Sequence, residues 1–304
     1  MTMHPLRFQT AIMPNCGIEE FIRRFKHAED VGFDMATTGD HFVDWTEPTR
    51  PWLEAWTALT AVACNTSRIR LAHYVNQIAL RNPAMLARQA LTVDHVSGGR
   101  IEVGLGIGLT IDPAYDMIGV PNWTNKERVD RFPDYVEVVD RLLSSETASY
   151  EGEYYSATGA VMNPRPVQSP RPPLVIAALG PKMMRIAAKY ADNWNSLSFA
   201  EDFDKQLAEV KDRVARMQDY LADAGRDPAD VRFSYQMFDP ASRASGGAIG
   251  YYCSPNLFMD MAESLIEAGM SELGPYYPAL PEQYAAFEKT GAELIPELKK
   301  RHAS

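Results

Sequence analysis

The stretch GDHFVDW, residues 39–45, puts an acid, a histidine and two aromatics directly behind an apolar run at 33–38 that reads as a buried strand. A histidine at a strand end beside Asp40 has a neighbour able to fix its tautomer or hold it protonated. His41 is therefore the candidate proton handler, with Asp40 as its orienter and Phe42 and Trp45 as aromatic walls; Trp45 joins the catalytic set. Other chemistry-bearing groups also follow strand-like runs. Tyr74, Val75 and Asn76 end the third, GLGIG (104–108) ends the fourth, Leu179 and Gly180 end the fifth, and Trp194, Asn195 and Ser196 lie on the sixth. Aromatic faces, bare backbone and amides suit a flat conjugated ligand better than a metal or a polar sugar, because a ring can lie against backbone while amides address its edge.

The glycines of GLGIG do not make a dinucleotide fingerprint. Gly104, Gly106 and Gly108 are followed by Leu109 and Ile111, and the G-x-G-x-x-G spacing fails. Two readings stay open for them: approach of a planar ring to bare backbone, or relief of crowding in a tapering barrel. At Gly180 and Pro181 the fifth strand turns into a helix, whose unpaired N–H groups and positive dipole end suit a phosphate. Lys182 or Arg185 could add charge there, although both suit a solvated helix surface. His4, His27, His95 and His302 fall on termini or helices and read as structural, while His73 alternates away from Tyr74 and is open to either reading. The chain has no G-x-S-x-G elbow, no H-E-x-x-H and no clustered His and carboxylate ligands, which excludes nucleophilic hydrolysis and metal catalysis.

Positioning these groups falls to a regular alternation. Strand-length apolar runs at 7–13, 33–38, 69–75, 101–107, 173–179, 193–199 and 231–238, with a weaker one at 273–277, are separated by segments of helical character at 18–31, 52–65, 83–96, 181–191, 202–224, 255–268 and from 281 onward. The segment at 83–96 opens with Asn82 as N-cap and Pro83 at N1 and closes on Gly98 and Gly99. In 202–224, Phe203, Leu207, Val210, Val214, Met217 and Leu221 form one apolar stripe. Alternating β and α with continuously apolar strands predicts a parallel sheet covered by helices, and eight repeats favour an α/β fold that is a single-domain (β/α)8 TIM barrel over residues 1–304. Two interruptions stand out. About sixty residues after the fourth strand exceed a βα connection and include an alternating SYEGEYYSA that predicts a hairpin around Gly152. Residues 239–256 after the seventh strand, rich in Gly, Ser and Ala, read as a mobile loop.

The 304 residues, 46% of them hydrophobic, suffice for one large core. A net charge of −10 repels nucleic acid and anionic bilayers, so neither is expected as a partner. The opening MTMHPLRFQT lacks the apolar core of a secretory signal, which makes a cytoplasmic location the expectation. Cys16, Cys64 and Cys253 are odd in number and far apart, and read as reduced thiols.

Taken together, AEDVGFDMATTGDHF, SRIRLAHYVNQIALRNPAMLARQALTVDHVSGGRIEVGLGIG and YEGEYYSATGAVMNPRPVQSPRPPLVIAALGPKMMRIAAKYADNWNS resemble, in that order, the luciferase-like monooxygenase superfamily of flavin- or deazaflavin-dependent (β/α)8 oxidoreductases. The resemblance spans residues 28–196; beyond 200 only the helix and strand rhythm supports it. It implies a cofactor ring at the C-terminal mouth of the barrel, a non-prolyl cis peptide near Tyr74 and Val75, and Asn76 beside the ring edge. It further implies phosphate binding at Ala178, Leu179 and Gly180, a histidine at His41 facing ring and substrate, and a homodimer. Gly106 and Trp194 complete the expected cofactor-binding set. One branch of the family uses reduced FMN, supplied by a flavin reductase, with oxygen; the other moves hydride with F420. GDHFVDW is similar to the F420-dependent sugar-phosphate dehydrogenases in the spacing of His41 and Trp45, but where those carry a catalytic glutamate after the strand-four glycines, this chain has Leu109. An acidic chain with no evident basic groove for a polyglutamate tail favours FMN. The leading expectation is a monooxygenase acting on a small organic substrate with reduced FMN, with F420-dependent hydride transfer as the alternative and non-catalytic flavin binding as the second. His41 would steer protons, and the 239–256 loop would close over the site.

Overall fold

The computed structural model describes residues 4–242 and 244–303. The elements run β1 (Arg7–Ala11), α1 (Ile18–Asp30), β2 (Met35–Thr38), α2 (Ala55–Asn65), β3 (Arg70–His73), β4 (Asn76–Gln77), α3 (Pro83–Ser97) and β5 (Ile101–Gly106). Next come α4 (Ala114–Ile118), α5 (Asn125–Ser144), β6 (Thr147–Glu151), β7 (Ser156–Val161), β8 (Leu174–Ala177), α6 (Pro181–Tyr190), β9 (Asn193–Ser196) and α7 (Phe203–Asp223). The chain ends in β10 (Arg232–Gln236), α8 (Pro255–Glu267), β11 (Glu272–Gly274), α9 (Tyr284–Lys289), a π turn (Thr290–Leu294) and α10 (Ile295–Arg301). The main sheet has the order β3-β2-β1-β11-β10-β9-β8-β5-β4, and an additional β3–β5 pairing closes it. Since β3 and β4 are two halves of one interrupted strand, both pairing with β5, this is the closed eight-stranded parallel barrel of a (β/α)8 fold.

Contacts divide the chain into two units, one made of residues up to Ile12, His27–Ala36 and Ala178 onward, the other of Met13–Lys26 and Thr37–Ala177. In the second unit every residue of β5 is buried, as a parallel strand covered on both faces requires. The same unit wholly buries Leu59 and Val62 of α2, Leu86 and Ala90 of α3, and Phe132, Val136 and Val139 of α5. In the first unit α7 buries Val210, Val214, Met217 and Leu221 of the expected stripe, and the core includes Phe8, Met184, Leu273, Phe287 and Leu298.

Asn82 caps α3 through its side chain, and Gly98 ends the helix at φ 65° in the left-handed region, which costs glycine little. The expected hairpin is β6–β7, antiparallel, with a register irregularity between Ala148 and Tyr150. The segment before it is more regular than the sequence reading allowed: α5 is the barrel's fourth covering helix. Its signal was the capping box in which the Thr124 side chain and Glu127 reciprocate. The 239–256 stretch, expected to be loose, is anchored in its second half. Tyr251 and Tyr252 are buried, and Gln283 bonds both the N–H and the carbonyl of Ile249, at 3.0 and 2.8 Å. Arg243 of this stretch lies outside the described residues.

The glycines at the end of β5 have a specific cause. A Cβ on Gly104 would overlap the His73 carbonyl, and one on Gly106 would overlap Val75 Cγ2. The interruption between β3 and β4 therefore fills the space that side chains on β5 would take. The Tyr74–Val75 peptide within it is cis.

His73 is a core residue. It is wholly buried, with its ring centroid 4.4 Å from that of Trp56. Neither ring nitrogen makes a well-formed hydrogen bond among the described residues, the Ala55 backbone offering only a weak one. Burial, opposed by the negative charge of Asp40, pushes the imidazole down to about 4. Because the folded state binds the proton more weakly than the unfolded chain, stability is full above about pH 6.5 and is lost as pH falls towards 4, to the extent of about 3 kcal/mol. Urea unfolding at pH 7, 5.5 and 4.5 should show this loss, and His73→Phe should lack that part of the slope; parallel slopes in the two proteins would mean that His73 does not titrate.

Candidate active site

β2 feeds the loop that carries Asp40 and His41. His41 Nδ1 lies 2.6 Å from Asp112 Oδ2, the histidine side chain being 20% exposed and the aspartate 0%. Gln77 Nε2 donates to the Asp40 carbonyl at 2.8 Å and to Asp112 Oδ2 at 3.2 Å. With both amide hydrogens engaged, the proton between His41 and Asp112 belongs on Nδ1, pointing at the carboxylate. That leaves Nε2 as the ring nitrogen without a hydrogen-bond partner among the described residues. Burial pushes the Asp112 carboxyl up, but hydrogen bonds from His41, the Ala114 N–H and Gln77 outweigh it, and the group sits below the ordinary carboxylate range. Asp112 is a carboxylate at neutral pH.

A buried chain of donors holds this pair. The Tyr115 hydroxyl donates to Gln77 Oε1 and accepts from Arg128 Nη1 at 3.0 Å. Arg128, itself wholly buried, spreads its remaining donors over the carbonyls of Trp123 and Ile107, both at 2.7 Å, and Asn122 Oδ1 at 2.8 Å. A buried guanidinium is tolerable when its N–H groups are matched in this way. Trp52 Nε1 donates to the His41 carbonyl at 2.8 Å, and its ring meets the imidazole edge-on at 6.1 Å between centroids.

Several expected roles change. Asp40 does not orient His41: its carboxylate is paired with Arg81, which also reaches Glu54 at 3.1 Å. The orienter is Asp112, and the aromatic set against the imidazole is Trp52; Trp45 lies half-buried in the same loop and Phe42 is 54% exposed. Asn76 is buried, with Oδ1 accepting from Trp56 Nε1 and Nδ2 donating to the Gly104 carbonyl, both at 2.7 Å. Its amide therefore pins the strand interruption rather than offering both edges to a ring. Gly106 faces Val75, so its missing side chain serves packing. Tyr74 and Val75 are half-buried. Asp112, Gln77, Tyr115, Arg128 and Trp52 were missed; the placement of Asp112 soon after the β5 end was the available signal.

In the first unit, Trp194 is wholly buried, its Nε1 donating to the Ala178 carbonyl at 2.8 Å. It props the turn and offers no face to a ligand. Ala178 is buried and Leu179 half-buried. Gly180 is the N-cap of α6 with no side-chain cap and Pro181 at N1, and a Cβ built on it meets nothing within 4 Å. Arg185 lies over the Tyr220 ring at 4.1 Å and so points elsewhere, while Lys182 is exposed. An uncapped ten-residue helix facing open space is the cradle a phosphate takes. In the second unit, the Thr38 hydroxyl at the end of β2 is buried without a hydrogen-bond partner among the described residues, as a polar ring edge beside it would require. Both features fit a phosphate-bearing ring cofactor. No group of three or more His, Cys, Asp or Glu among the described residues could hold a metal ion, and no helix is long and apolar enough to cross a membrane.

The closed barrel is that of the single-domain (β/α)8 proteins. The luciferase-like monooxygenase model matches residues 1–242, and the chain belongs to that family. An uncharacterized protein of Mycobacterium tuberculosis is 35% identical over 175 residues, covering 58% of each chain, so this chain spans little more than half the length of that relative. The F420-dependent glucose-6-phosphate dehydrogenase of Amycolatopsis mediterranei is 28% identical over 226 residues, covering 72% of this chain and 66% of the relative. Among solved structures, an F420-dependent secondary alcohol dehydrogenase superposes with a TM-score of 0.79 at 18% identity, over 96% of this chain and 99% of that one. A long-chain alkane monooxygenase superposes with 0.78 at 15% identity, over 98% and 92%. These two share the fold.

Proposed function

We propose that the chain is an F420-dependent oxidoreductase that moves a hydride between the deazaflavin and an alcohol or its carbonyl counterpart. The observation that carries this reading is the His41–Asp112 pair. An alcohol carbon releases hydride only as its hydroxyl proton leaves, and an imidazole whose Nδ1–H is held by a buried carboxylate presents Nε2 as the base for that proton. In the reverse direction the same nitrogen returns it. F420, when bound, supplies the ring that takes or gives the hydride. The free N–H groups at the start of α6 would hold its phosphate. The F420-dependent relatives support the choice of cofactor. The protein works as a cytoplasmic homodimer on a small molecule, and in the alcohol-oxidising direction the substrate itself reduces the cofactor.

A second reading, monooxygenation with reduced FMN from a flavin reductase, is favoured by the net charge of −10 and by Leu109 where the sugar-phosphate dehydrogenases carry glutamate. There His41 would deliver a proton instead of removing one. Titration of the apoprotein with FMN and with F420, each oxidised and reduced, followed by absorbance and fluorescence, separates the two. Tight binding of F420 with weak binding of both FMN forms is expected, and a preference for reduced FMN would overturn the proposal in favour of oxygen chemistry.

A further inference from the structure

Arg128 is a wholly buried cation whose hydrogen bonds all go to neutral acceptors: the carbonyls of Trp123 and Ile107, Asn122 Oδ1 and the Tyr115 hydroxyl. No carboxylate among the described residues touches it. Its guanidinium carbon lies 4.5 Å from the centre of the Tyr115 ring, which recovers part of the lost hydration. Neutral partners satisfy its N–H groups but leave its charge unanswered, and a buried charge is costly without an opposite one.

Asp112 poses the converse problem in the same unit. Its side chain is wholly buried, and the cation in contact with it, His41, is charged only when protonated. Between the two buried charges lie Tyr115 and Gln77. The Tyr115 hydroxyl accepts from Arg128 Nη1 at 3.0 Å and donates to Gln77 Oε1, and Gln77 Nε2 donates to Asp112 Oδ2 at 3.2 Å. Arg128 and Asp112 act on that hydroxyl with opposite sign, and the Leu109 N–H also addresses its oxygen. The hydroxyl proton is thus left for Gln77, and the bridge is polarised in one direction, from cation to anion. Gly108 keeps it short: with φ at 74°, a Cβ there would come within 3.0 Å of Gln77 Oε1, the Tyr115 hydroxyl and Arg128 Nη1.

The other charges beside His41 in this unit are matched. Asp40 is paired with Arg81, which also reaches Glu54, and Gln77 and Trp52, which touch the histidine, are neutral. We propose that Arg128 is a positioning residue for His41: as the standing counter-charge of Asp112, delivered through Tyr115 and Gln77, it leaves the imidazole neutral, with its proton on Nδ1 and Nε2 open. Without it the buried carboxylate draws a second proton onto the ring and closes Nε2. This deepens the function proposed above and rests on it only for the use made of Nε2, because the state of the ring belongs to the chain without cofactor or substrate.

Ring-nitrogen NMR of the histidine-labelled full-length apoprotein, with His41 assigned by difference from His41→Ala, reads charge and tautomer together. The wild type at pH 7 should show a neutral His41 carrying Nδ1–H. Arg128→Gln should raise the imidazolium-to-imidazole ratio about tenfold at the same pH, and Arg128→Lys, which keeps the charge, should restore most of the wild-type ratio. Tyr115→Phe breaks the bridge and leaves the charge; it should raise the ratio about threefold, and it carries the test should Arg128→Gln fail to fold. In turnover, the acid limb of the kcat/KM profile should move about one unit to higher pH in Arg128→Gln, which a mere loss of folded protein would not do. A protonated or Nε2–H His41 in the wild type at pH 7, an unchanged ratio in either Arg128→Gln or Tyr115→Phe, or an Arg128→Lys no closer to wild type than Arg128→Gln would overturn the proposal. The expected ring states in a protein that does not bind F420 would keep the role of Arg128 and overturn the cofactor reading instead.

Discussion

His41→Ala is expected to lower turnover about a thousandfold while cofactor affinity stays within about threefold of wild type. The factor follows from the range for a positioned general acid or base, about 10² to 10⁴. The asymmetry follows from placement, since His41 bonds to Asp112 and its backbone to Trp52, whereas the expected phosphate site lies at Gly180. Asp112→Asn should cost about as much as His41→Ala, because an amide N–H facing Nδ1 puts the ring proton on Nε2, the wrong tautomer for a base, and the charge that favours imidazolium is lost. Asp40→Asn is the informative control. Its partner is Arg81, so its effect on the pH profile of kcat should be small where that of Asp112→Asn is large. Steady-state kinetics across pH, with cofactor titrations alongside, measure all three, and wild-type turnover in His41→Ala would remove the histidine from the mechanism.

Gly180→Asp should drive stability and cofactor binding in opposite directions. The residue has φ −91°, ordinary for any side chain, and a Cβ there enters open space. Aspartate is a good N-cap, so α6 should be held or stabilised by some tenths of a kcal/mol. The same carboxylate occupies the N–H groups and places a negative charge where the cofactor phosphate must sit, so affinity should fall about a hundredfold. Thermal melting and equilibrium titration read the two effects separately. A raised or unchanged melting temperature with undiminished affinity would mean that the phosphate binds elsewhere.

The barrel was legible because parallel strands covered on both faces are written as short continuous apolar runs, β5 being the plainest case. Caps such as Asn82 and Gly98 are local and were equally readable. Pairing within the candidate site was not legible. His41 and Asp112 are 71 positions apart, and nothing in the spacing of either residue announces the other. Adjacency misled at Asp40, because consecutive residues leaving a strand project to different sides, and one went to Arg81 while the other went to Asp112. The same alternation hid Trp194, whose ring is core. The glycines of β5 resolve in favour of crowding relief, for a reason visible only when β3, β4 and β5 are side by side.

The buried chain from Arg128 through Tyr115, Gln77 and Asp112 to His41 draws all its members from positions 41–128, inside the second unit. The setting of the histidine's proton is therefore written into one continuous stretch of sequence, and substitutions confined to residues after 178 leave every member of that chain in place.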